Sequence, residues 1–357
     1  MSVMRRVILP VFIVGALAAA ALTYGVHERM QEPFKGYAGD EQFVDVPRGT
    51  RSQAIGRALV EAGVVRDVLT FRVALWLSGS ARQLKAGEYR FDRPMTPREA
   101  IDKIARGDVH LRPITFPEGL TIREMARTYE VRGFGPAASF TDAAGNAGLV
   151  ADLDAAATDL EGYLFPETYA LSRRASARDL ASRMVARFRA VAGPGLVDDA
   201  RAQGLSVRQF VTLASIVEKE ASSVDERPLV AAVYLKRLTL RMALQSDPTV
   251  IYALERAGRY RGNLTKENLA FDSPYNTYRH AGLPPGPIAA PGRSALEAVA
   301  KAPDTEFLYF VSRNDGTHVF ARSLAEHNRN VQRYQVQYFK EKRPRDQQSR
   351  PPAPGIR

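Results

Sequence analysis

The pattern of apolar and polar positions divides the chain into an N-terminal apolar run, two folded stretches and a polar tail. Residues 7–26 carry no charge, and about twenty such residues are what a helix needs to cross a bilayer. Arg5 and Arg6 precede the run, and this positive flank predicts that residues 1–6 stay in the cytoplasm while the rest of the chain lies outside it. A cleaved signal peptide is the alternative, because residues 18–21 are all alanine and could form the small-residue cleavage site that a signal peptidase requires. The length of the run favours an uncleaved anchor.

Residues 43–110 alternate between strand and helix patterns. Residues 27–42 before them are polar and contain glycine, which predicts a linker. Period-two alternation predicts two short strands, and helical spacing predicts two helices between them, the second of which carries Trp76, the only tryptophan. Thr96 and Glu99 have the spacing of a capping box and predict the start of another helix. The pattern therefore predicts a small strand–helix–helix–strand unit followed by a helix.

Residues 111–338 are richer in helical patterns. Thr121 with Glu124 predicts one helix start, and apolar spacing predicts later helices over 175–192, 206–222, 225–240, from Asp247 to 256, and over 323–340. Alternation around Asn314-Asp315-Gly316 predicts a β-hairpin within 307–321. Residues 339–357 form a basic, Pro-rich tail that we expect to be solvated. We therefore expect an α+β protein that consists of a transmembrane helix, a small α/β subdomain and a larger mixed α+β domain.

Composition narrows the class of function without identifying it. The chain has 357 residues, 45% of them hydrophobic and 25% charged, which is typical of a globular protein. A net charge of +11 suits a polyanionic partner. No cysteine is present, so disulfides and cysteine-ligated metals are excluded. The sequence lacks the common metalloprotease, serine-hydrolase and phosphate-binding motifs, and no nucleic-acid module is evident. His318 and His327 could meet in space, but a structural or surface role is favoured for each of them.

The stretch "LASIVEKEAS", residues 213–222, places two carboxylates beside an apolar helical run. At about 100° per residue, Glu218 and Glu220 lie on opposite flanks of the buried stripe, so they cannot contact each other. Apolar surroundings disfavour the charged form of a carboxyl group and raise its pKa, which suits a catalytic acid. Alternatively, both are solvated residues at a helix end. Taken alone, the helix favours the interpretation as solvated residues, because glutamate is common at the border of a buried stripe.

Three other stretches mix short polar groups with aromatic rings, a combination that suits binding of a sugar polymer. "EGYLFPETY" supplies Glu161. "LQSDPTVIY" supplies Gln245, Ser246 and Asp247, where Asp247 could also be no more than a helix N-cap. "SPYNTY" lies in a long loop over 272–292 and supplies the following residues: Tyr275, Asn276, Thr277 and Tyr278. Loops of this length are often functional.

In this order, behind one apolar N-terminal segment, these stretches resemble the MltG (YceG-like) family of endolytic murein transglycosylases. The resemblance runs from about residue 43 to Tyr334 and includes "LASIVEKEA", "LQSDPTVIYAL", "SPYNTY", "GLPPGPIAAPG" and "FLYFVSRNDGTHVF". It implies a LysM-like subdomain at 43–110 and a YceG-like catalytic domain at 111–338. It also implies that Glu218 is the catalytic glutamate and that Gln245, Ser246, Asp247 and the 275–278 loop line the cleft, to which we add Glu161 as a candidate. Because Glu220 lies on the other flank of the helix, we expect it to behave as a minor surface residue.

The resemblance implies cleavage of nascent peptidoglycan glycan strands within the chain, without a metal or cofactor, beside the inner membrane. Glycan strands and the membrane are then the partners, peptidoglycan synthases are candidate partners, and nucleic acid is not. Two alternatives stay open. One is a non-catalytic, membrane-anchored glycan-binding protein. The other is a hydrolase that pairs Glu218 with a second carboxylate such as Asp247 or Glu161, because glycoside hydrolysis commonly uses two.

Overall fold

The computed structural model describes residues 14, 16–17, 20–21, 23–338 and 340. Most of the predicted anchor over 7–26 and nearly all of the tail over 339–357 lie outside the described residues. Among the residues that are described, no helix combines the length and the apolar composition that a membrane span requires. The fold is a mixture of helices and three two-stranded sheets, so the expected α+β class is confirmed.

The chain divides into two compact units. The first unit comprises the chain up to Pro113 together with a later segment, Ala170–Arg174, and the second unit comprises 114–169 and the chain from Ala175 onward. The sequence predicts a domain boundary between residues 110 and 111, close to the observed one. It gives no sign that residues 170–174 belong to the first unit.

The first unit is built on one antiparallel strand pair. Strands β1 (Gln42–Val46) and β2 (Gly87–Phe91) pair with Val44 opposite Tyr89. Three helices cover this pair and enclose one apolar core with it: α1 (Ser52–Glu61), α2 (Val68–Ser78) and α3 (Pro97–Arg106). The capping box predicted from Thr96 and Glu99 is present at the start of α3. The predicted strand–helix–helix–strand order is therefore confirmed.

Residues 27–42 are not the linker that their polarity predicts. Residues 23–31 are helical, and Phe34 forms a β-bridge with Met95 of the first unit. The Tyr37 hydroxyl donates to the Phe91 carbonyl over 2.9 Å. The segment is thus part of the folded unit, because its few aromatic side chains find partners that are distant in sequence.

The second unit is mainly helical. Its helices are α4 (Ile122–Val131), α5 (Ala137–Ala144), α6 (Ala177–Ala202), α7 (Val207–Glu220), α8 (Arg227–Thr239), α9 (Asp247–Arg256), α10 (Arg293–Ala300) and α11 (Leu324–Val331). The predicted hairpin is present in this unit as β5 (Tyr309–Ser312) and β6 (His318–Ala321). Short strands β3 (Arg112–Thr115) and β4 (Thr168–Leu171) form another pair, and the chain passes from one unit to the other within each of these two strands. A π-helical turn, Gln332–Gln337, follows α11 where an unbroken helix to 340 was expected.

Helix α7 lies at the centre of the second unit. Every side chain from Phe210 to Val217 is buried, and the helix packs against α8, α9 and α10. Ser206 caps it in a capping box with Gln209. The helix ends at Glu220 because Ala221 adopts an extended conformation. The last turn of a buried helix therefore carries the two glutamates that the sequence singled out.

Candidate active site

Glu218 is held in a buried ion pair. Its Oε1 accepts a hydrogen bond from Arg227 Nη2 over 2.6 Å, and its Oε2 accepts one from the Gly292 backbone N–H over 3.0 Å. The two charged side chains are only 5% and 7% exposed, respectively. Burial raises the pKa of Glu218, while the Gly292 N–H and the Arg227 guanidinium oppose that rise. Both oxygens of Glu218 are therefore occupied by protein donors.

Arg227 ties this pair to its surroundings. Its guanidinium also donates to the Ala221 carbonyl over 3.4 Å and to the Ser294 hydroxyl, and it lies 3.5 Å from Glu118. The contacts connect α8 with the end of α7 and the start of α10. Arg227 and Glu218 thus form a buried structural ion pair. Loss of either charge would leave the other buried and uncompensated.

Glu220 has a different environment, although it is only two residues away. Its Oε1 accepts hydrogen bonds from the Tyr234 hydroxyl over 2.8 Å and from the Ser246 hydroxyl over 2.5 Å. No described residue donates to its Oε2. Glu220 is thus not the minor surface residue that the sequence led us to expect, and one of its oxygens remains available.

Two physical effects favour the protonated form of Glu220. Burial raises its pKa, against the lowering effect of the hydroxyls of Ser246 and Tyr234. Glu220 is also the last residue of α7, where the negative end of the helix dipole disfavours a carboxylate. A carboxyl group that keeps its proton near neutral pH can serve as a general acid.

Glu220 lines a cavity of about 520 Å³ in the second unit, and Glu218 does not line it. The polar groups around this cavity come from α7, α8, α9, the loop before α9, the 272–292 loop, the hairpin and α11. They include Gln245, Asp247, Tyr278, Asn314 and His318. The cavity therefore brings together Glu220 and three of the residues expected in the cleft.

The entry to α9 holds its polar residues in an uncommon geometry. Gln245 has a φ of 53°, a left-handed conformation that costs free energy in a residue other than glycine. The N-cap of α9 is Ser246, and Asp247 is the first helical residue, so the N-cap role considered for Asp247 is wrong. The Ser246 side chain is turned to Glu220 instead of capping the helix. Asp247 accepts a hydrogen bond from the Tyr278 hydroxyl over 2.6 Å.

Asn276 and Thr277 support the cavity from behind rather than lining it. Both are buried. The Asn276 amide donates to the carbonyls of Leu269 and Phe271 over 2.9 and 2.8 Å, which closes the loop on itself. Thr277 Oγ1 accepts from the Ser246 N–H over 3.0 Å and so positions the residue that contacts Glu220.

Glu161 and Tyr275 lie at a second, smaller cavity. Glu161 lines a space of about 320 Å³ with Tyr252 and Arg256, and the Tyr275 ring packs 5.0 Å from the Tyr252 ring. Glu161 accepts hydrogen bonds from the Ile122 N–H over 3.0 Å and from the Tyr252 hydroxyl over 3.1 Å. Burial raises its pKa to about 8. Neither residue lines the cavity that holds Glu220.

Several residues that line this cavity are not predicted by the sequence to be functional. Tyr234 and Arg237 were hidden within an ordinary helical pattern, and their one signal is that they are polar positions three apart on an apolar helix. His318 was singled out only as a structural residue. Its Nδ1 lies 2.7 Å from Glu226 Oε2 and its backbone N–H donates to Oε1 over 2.9 Å, so the carboxylate fixes the ring where it lines the cavity. His327 lines the same cavity.

Within the described ranges, no cluster of three or more His, Asp or Glu side chains has the geometry of a metal site.

Comparison with known proteins gives a consistent result. An endolytic murein transglycosylase of Bacillus subtilis strain 168 is 29% identical over 336 residues, which cover 89% of this chain and 91% of that protein. The protein of the same name from Streptococcus pneumoniae D39 is 29% identical over 320 residues, but the chain spans only 57% of its length.

A solved structure and a family profile extend the comparison. The crystal structure of a YceG-like protein from Listeria monocytogenes superposes with a TM-score of 0.55 at 30% identity, over 82% of this chain and 99% of that one. The profile of the YceG-like family matches residues 44–333, which include parts of both units and Glu220 with the five polar cavity residues named with it. This chain belongs to the YceG-like family.

Proposed function

We propose that this protein is an endolytic peptidoglycan lytic transglycosylase, a lyase that cuts glycan strands within the chain and leaves 1,6-anhydromuramic ends. Family membership and the two relatives named endolytic murein transglycosylases support the activity. The cavity in the second unit is the proposed cleft. Cutting of nascent strands in this way terminates their elongation.

One carboxyl group is enough for this reaction. A protonated glutamate donates its proton to the glycosidic oxygen as the bond from that oxygen to C1 breaks. The 6-hydroxyl of the same muramic residue then attacks C1 and closes the anhydro ring, and its proton returns to the carboxylate. The nucleophile belongs to the substrate, so neither water nor a second carboxylate has to be activated. Atoms and charge balance without any cofactor.

Glu220 is the residue that we assign to this role, in place of the Glu218 suggested by the sequence. The observation that carries the assignment is that Glu220 lines the cavity with Oε1 bonded to two hydroxyls and Oε2 unbonded to any described residue. Glu218 has both oxygens engaged and does not line the cavity. A glutamate that must exchange a proton with substrate needs an accessible oxygen.

The remaining cavity residues are proposed to bind the sugar. Gln245, Asn314 and the Asp247–Tyr278 pair offer hydrogen-bonding groups along the walls. Ser246 and Tyr234 orient the acid, and Thr277 holds Ser246 in place. Asn276 closes the loop that carries Thr277. Glu161 and Tyr275, which were expected in the cleft, are not assigned to it.

The same proposal covers the rest of the chain. Residues 7–26 are the single membrane anchor, with residues 1–6 in the cytoplasm and both units outside it at the inner membrane. The first unit is the LysM-like subdomain, which holds glycan, and its strand–helix–helix–strand order supports that role. Peptidoglycan synthases are the proposed protein partners.

Digestion of purified glycan strands tests the activity and the assignment together. Glu220→Gln removes the proton donor but keeps the size of the side chain, and the rate of anhydro-product release should fall by at least about two to four orders of magnitude. Glu218→Gln is the matched control two residues away. It weakens a buried ion pair, so it should lower the thermal midpoint while the folded enzyme keeps most of its rate.

Each alternative predicts a different result in the same digest. Products that have gained a water indicate a two-carboxylate hydrolase, and absence of any product from wild-type protein indicates a glycan-binding protein. A folded Glu220→Gln enzyme that keeps more than a tenth of the wild-type rate contradicts the assignment of the acid. If Glu218→Gln is folded and inactive, Glu218 is the acid.

A further inference from the structure

Helix α2 of the first unit is apolar on both sides. Its inner side buries Phe71, Ala74 and Leu75 in the core. On its outer side, Leu69 is 52% exposed and Trp76 is 79% exposed. A helix that only covers a core has a polar outer side, so this composition requires another explanation.

The exposed apolar side chains share one face with the half-buried Val73. At about 100° per residue, Leu69, Val73 and Trp76 lie within roughly 60° of one another, and Leu77, 55% exposed, lies beside Val73. We call these four residues the α2 face. A contiguous apolar surface of this kind marks a site of interaction with a protein or a membrane.

Positive charge borders the α2 face. Arg72 lies on the outer side of the same helix, and Arg82 ends the short 3₁₀ turn that follows it. Both side chains are exposed, and neither forms an ion pair with any described residue. An apolar face bordered by unpaired arginines is complementary to the surface of a bilayer that contains anionic lipid.

The start of α2 is fastened to the segment that follows the proposed anchor. Arg66 pairs with Glu32 over 3.0 Å, and its guanidinium lies 4.9 Å from the centre of the Phe34 ring. Asp67, the N-cap of α2, lies 3.6 Å from Arg29. Exposed ion pairs add little stability. These two pairs nevertheless show that the start of α2 lies beside residues 29–34.

The connection from the anchor to this unit is short. Seven residues, 27–33, lie between the end of the apolar run at residue 26 and Phe34, which is already bridged to Met95. Even a fully extended chain from residue 26 to Phe34 reaches at most about 29 Å. Leu69, in the first turn of α2, is therefore held close to where the anchor leaves the bilayer.

We propose that the α2 face docks on the bilayer surface beside the chain's own anchor, with Trp76 at the headgroup level. Tryptophan favours the membrane–water interface, because its ring is apolar and its indole N–H is polar. Arg72 and Arg82 then contact anionic lipid headgroups. The proposal rests on the anchor in the function proposed above, and it adds that the first unit lies on the membrane instead of extending away from it.

Trp76 reports on its own surroundings, because it is the only tryptophan in the chain. The full chain is reconstituted into phosphatidylglycerol-containing nanodiscs, prepared with and without brominated acyl chains, which quench nearby tryptophan. We expect the emission of Trp76 to shift to shorter wavelength relative to urea-unfolded protein and to lose most of its intensity in the brominated discs. Acrylamide should quench it only weakly.

Two variants act as a matched pair. The double variant Leu69→Glu/Leu77→Glu keeps Trp76 but makes the α2 face polar, and it should abolish quenching by brominated lipid. Leu111→Glu changes another exposed leucine of the same unit, 43% exposed and away from α2, and should leave the quenching unchanged. Both variants should keep the wild-type rate in the glycan digest with a short soluble substrate, since neither changes the cleft.

Three outcomes overturn the proposal. One is a chain that inserts into the discs while Trp76 stays unquenched by lipid and open to acrylamide. Another is protection of Trp76 by added glycan strands without lipid quenching, which would make the α2 face a glycan site. The third is failure of the chain to insert at all, which removes the anchor and the docking together. The glycan digest is a separate measurement, so failure of the docking does not count against the activity.

Discussion

Two glutamates separated by one lysine have distinct environments because each contacts different neighbouring elements. Glu218 meets Arg227 of α8 and the backbone of Gly292, and Glu220 meets Tyr234 and Ser246. The helical period correctly predicts that the two carboxylates lie on opposite flanks and cannot touch. The partners of the two glutamates lie 9 to 74 positions away in sequence. A local sequence pattern therefore cannot predict which flank of the helix faces the cavity.

Glu161 gives a prediction for pH dependence. Burial raises its folded-state pKa from 4.5 to about 8, so the folded protein binds this proton more tightly than the unfolded chain does. The free energy of unfolding should therefore fall as pH rises from 4.5 to 8, by at most about 1.4 kcal/mol per pH unit from this group, and should level off above pH 8. Glu161→Gln should remove this part of the slope.

Denaturant unfolding at a series of pH values measures that slope. The difference in unfolding free energy between Glu161→Gln and wild type should grow in favour of the variant across the window. Glu61→Gln, which changes an exposed glutamate on α1, should show no such trend. A constant difference for Glu161→Gln at all pH values means that Glu161 is charged in the folded protein.

Individual elements were predictable wherever a short-range signal determines them. The capping boxes at Thr96 and Thr121 start helices α3 and α4 at the expected positions, since a side chain three residues away satisfies the free backbone N–H groups. The hairpin forms around Asn314 and Gly316, both with positive φ. Residues 27–42 were misjudged because their contacts with Met95 and Phe91 leave no local periodicity.

The hairpin turn gives a prediction at the level of one element. Asn314 has a φ of 64°, and its amide donates to the Tyr334 carbonyl over 2.5 Å. Asn314→Ala and Asn314→Gly both lose that hydrogen bond, but only alanine has a Cβ that strains the left-handed conformation. Alanine should therefore be less stable than glycine by about 1 kcal/mol, as measured by denaturant unfolding. Equal stabilities would mean that the turn relaxes to negative φ.

The whole molecule gives a prediction about its attachment. If residues 7–26 form an uncleaved anchor, N-terminal sequencing of protein extracted from membranes should recover the sequence that begins at Met1 or Ser2. High salt should not release the protein, because a spanning helix is held by apolar burial rather than by charge. A mature chain that starts near Ala21 would identify a secreted enzyme.

The segment 170–174 has a consequence for how this molecule can be recombined. It belongs to the first unit, where the Arg173 N–H donates to Glu88 Oε2 over 3.2 Å and Arg174 pairs with Asp45 over 2.5 Å. The backbone therefore crosses between the units three times. A gene fusion with a single junction after Pro113 would transfer the first unit without its segment 170–174. That segment would stay with the second unit and lose its contacts with Glu88 and Asp45. A functional transplant therefore has to carry both units together.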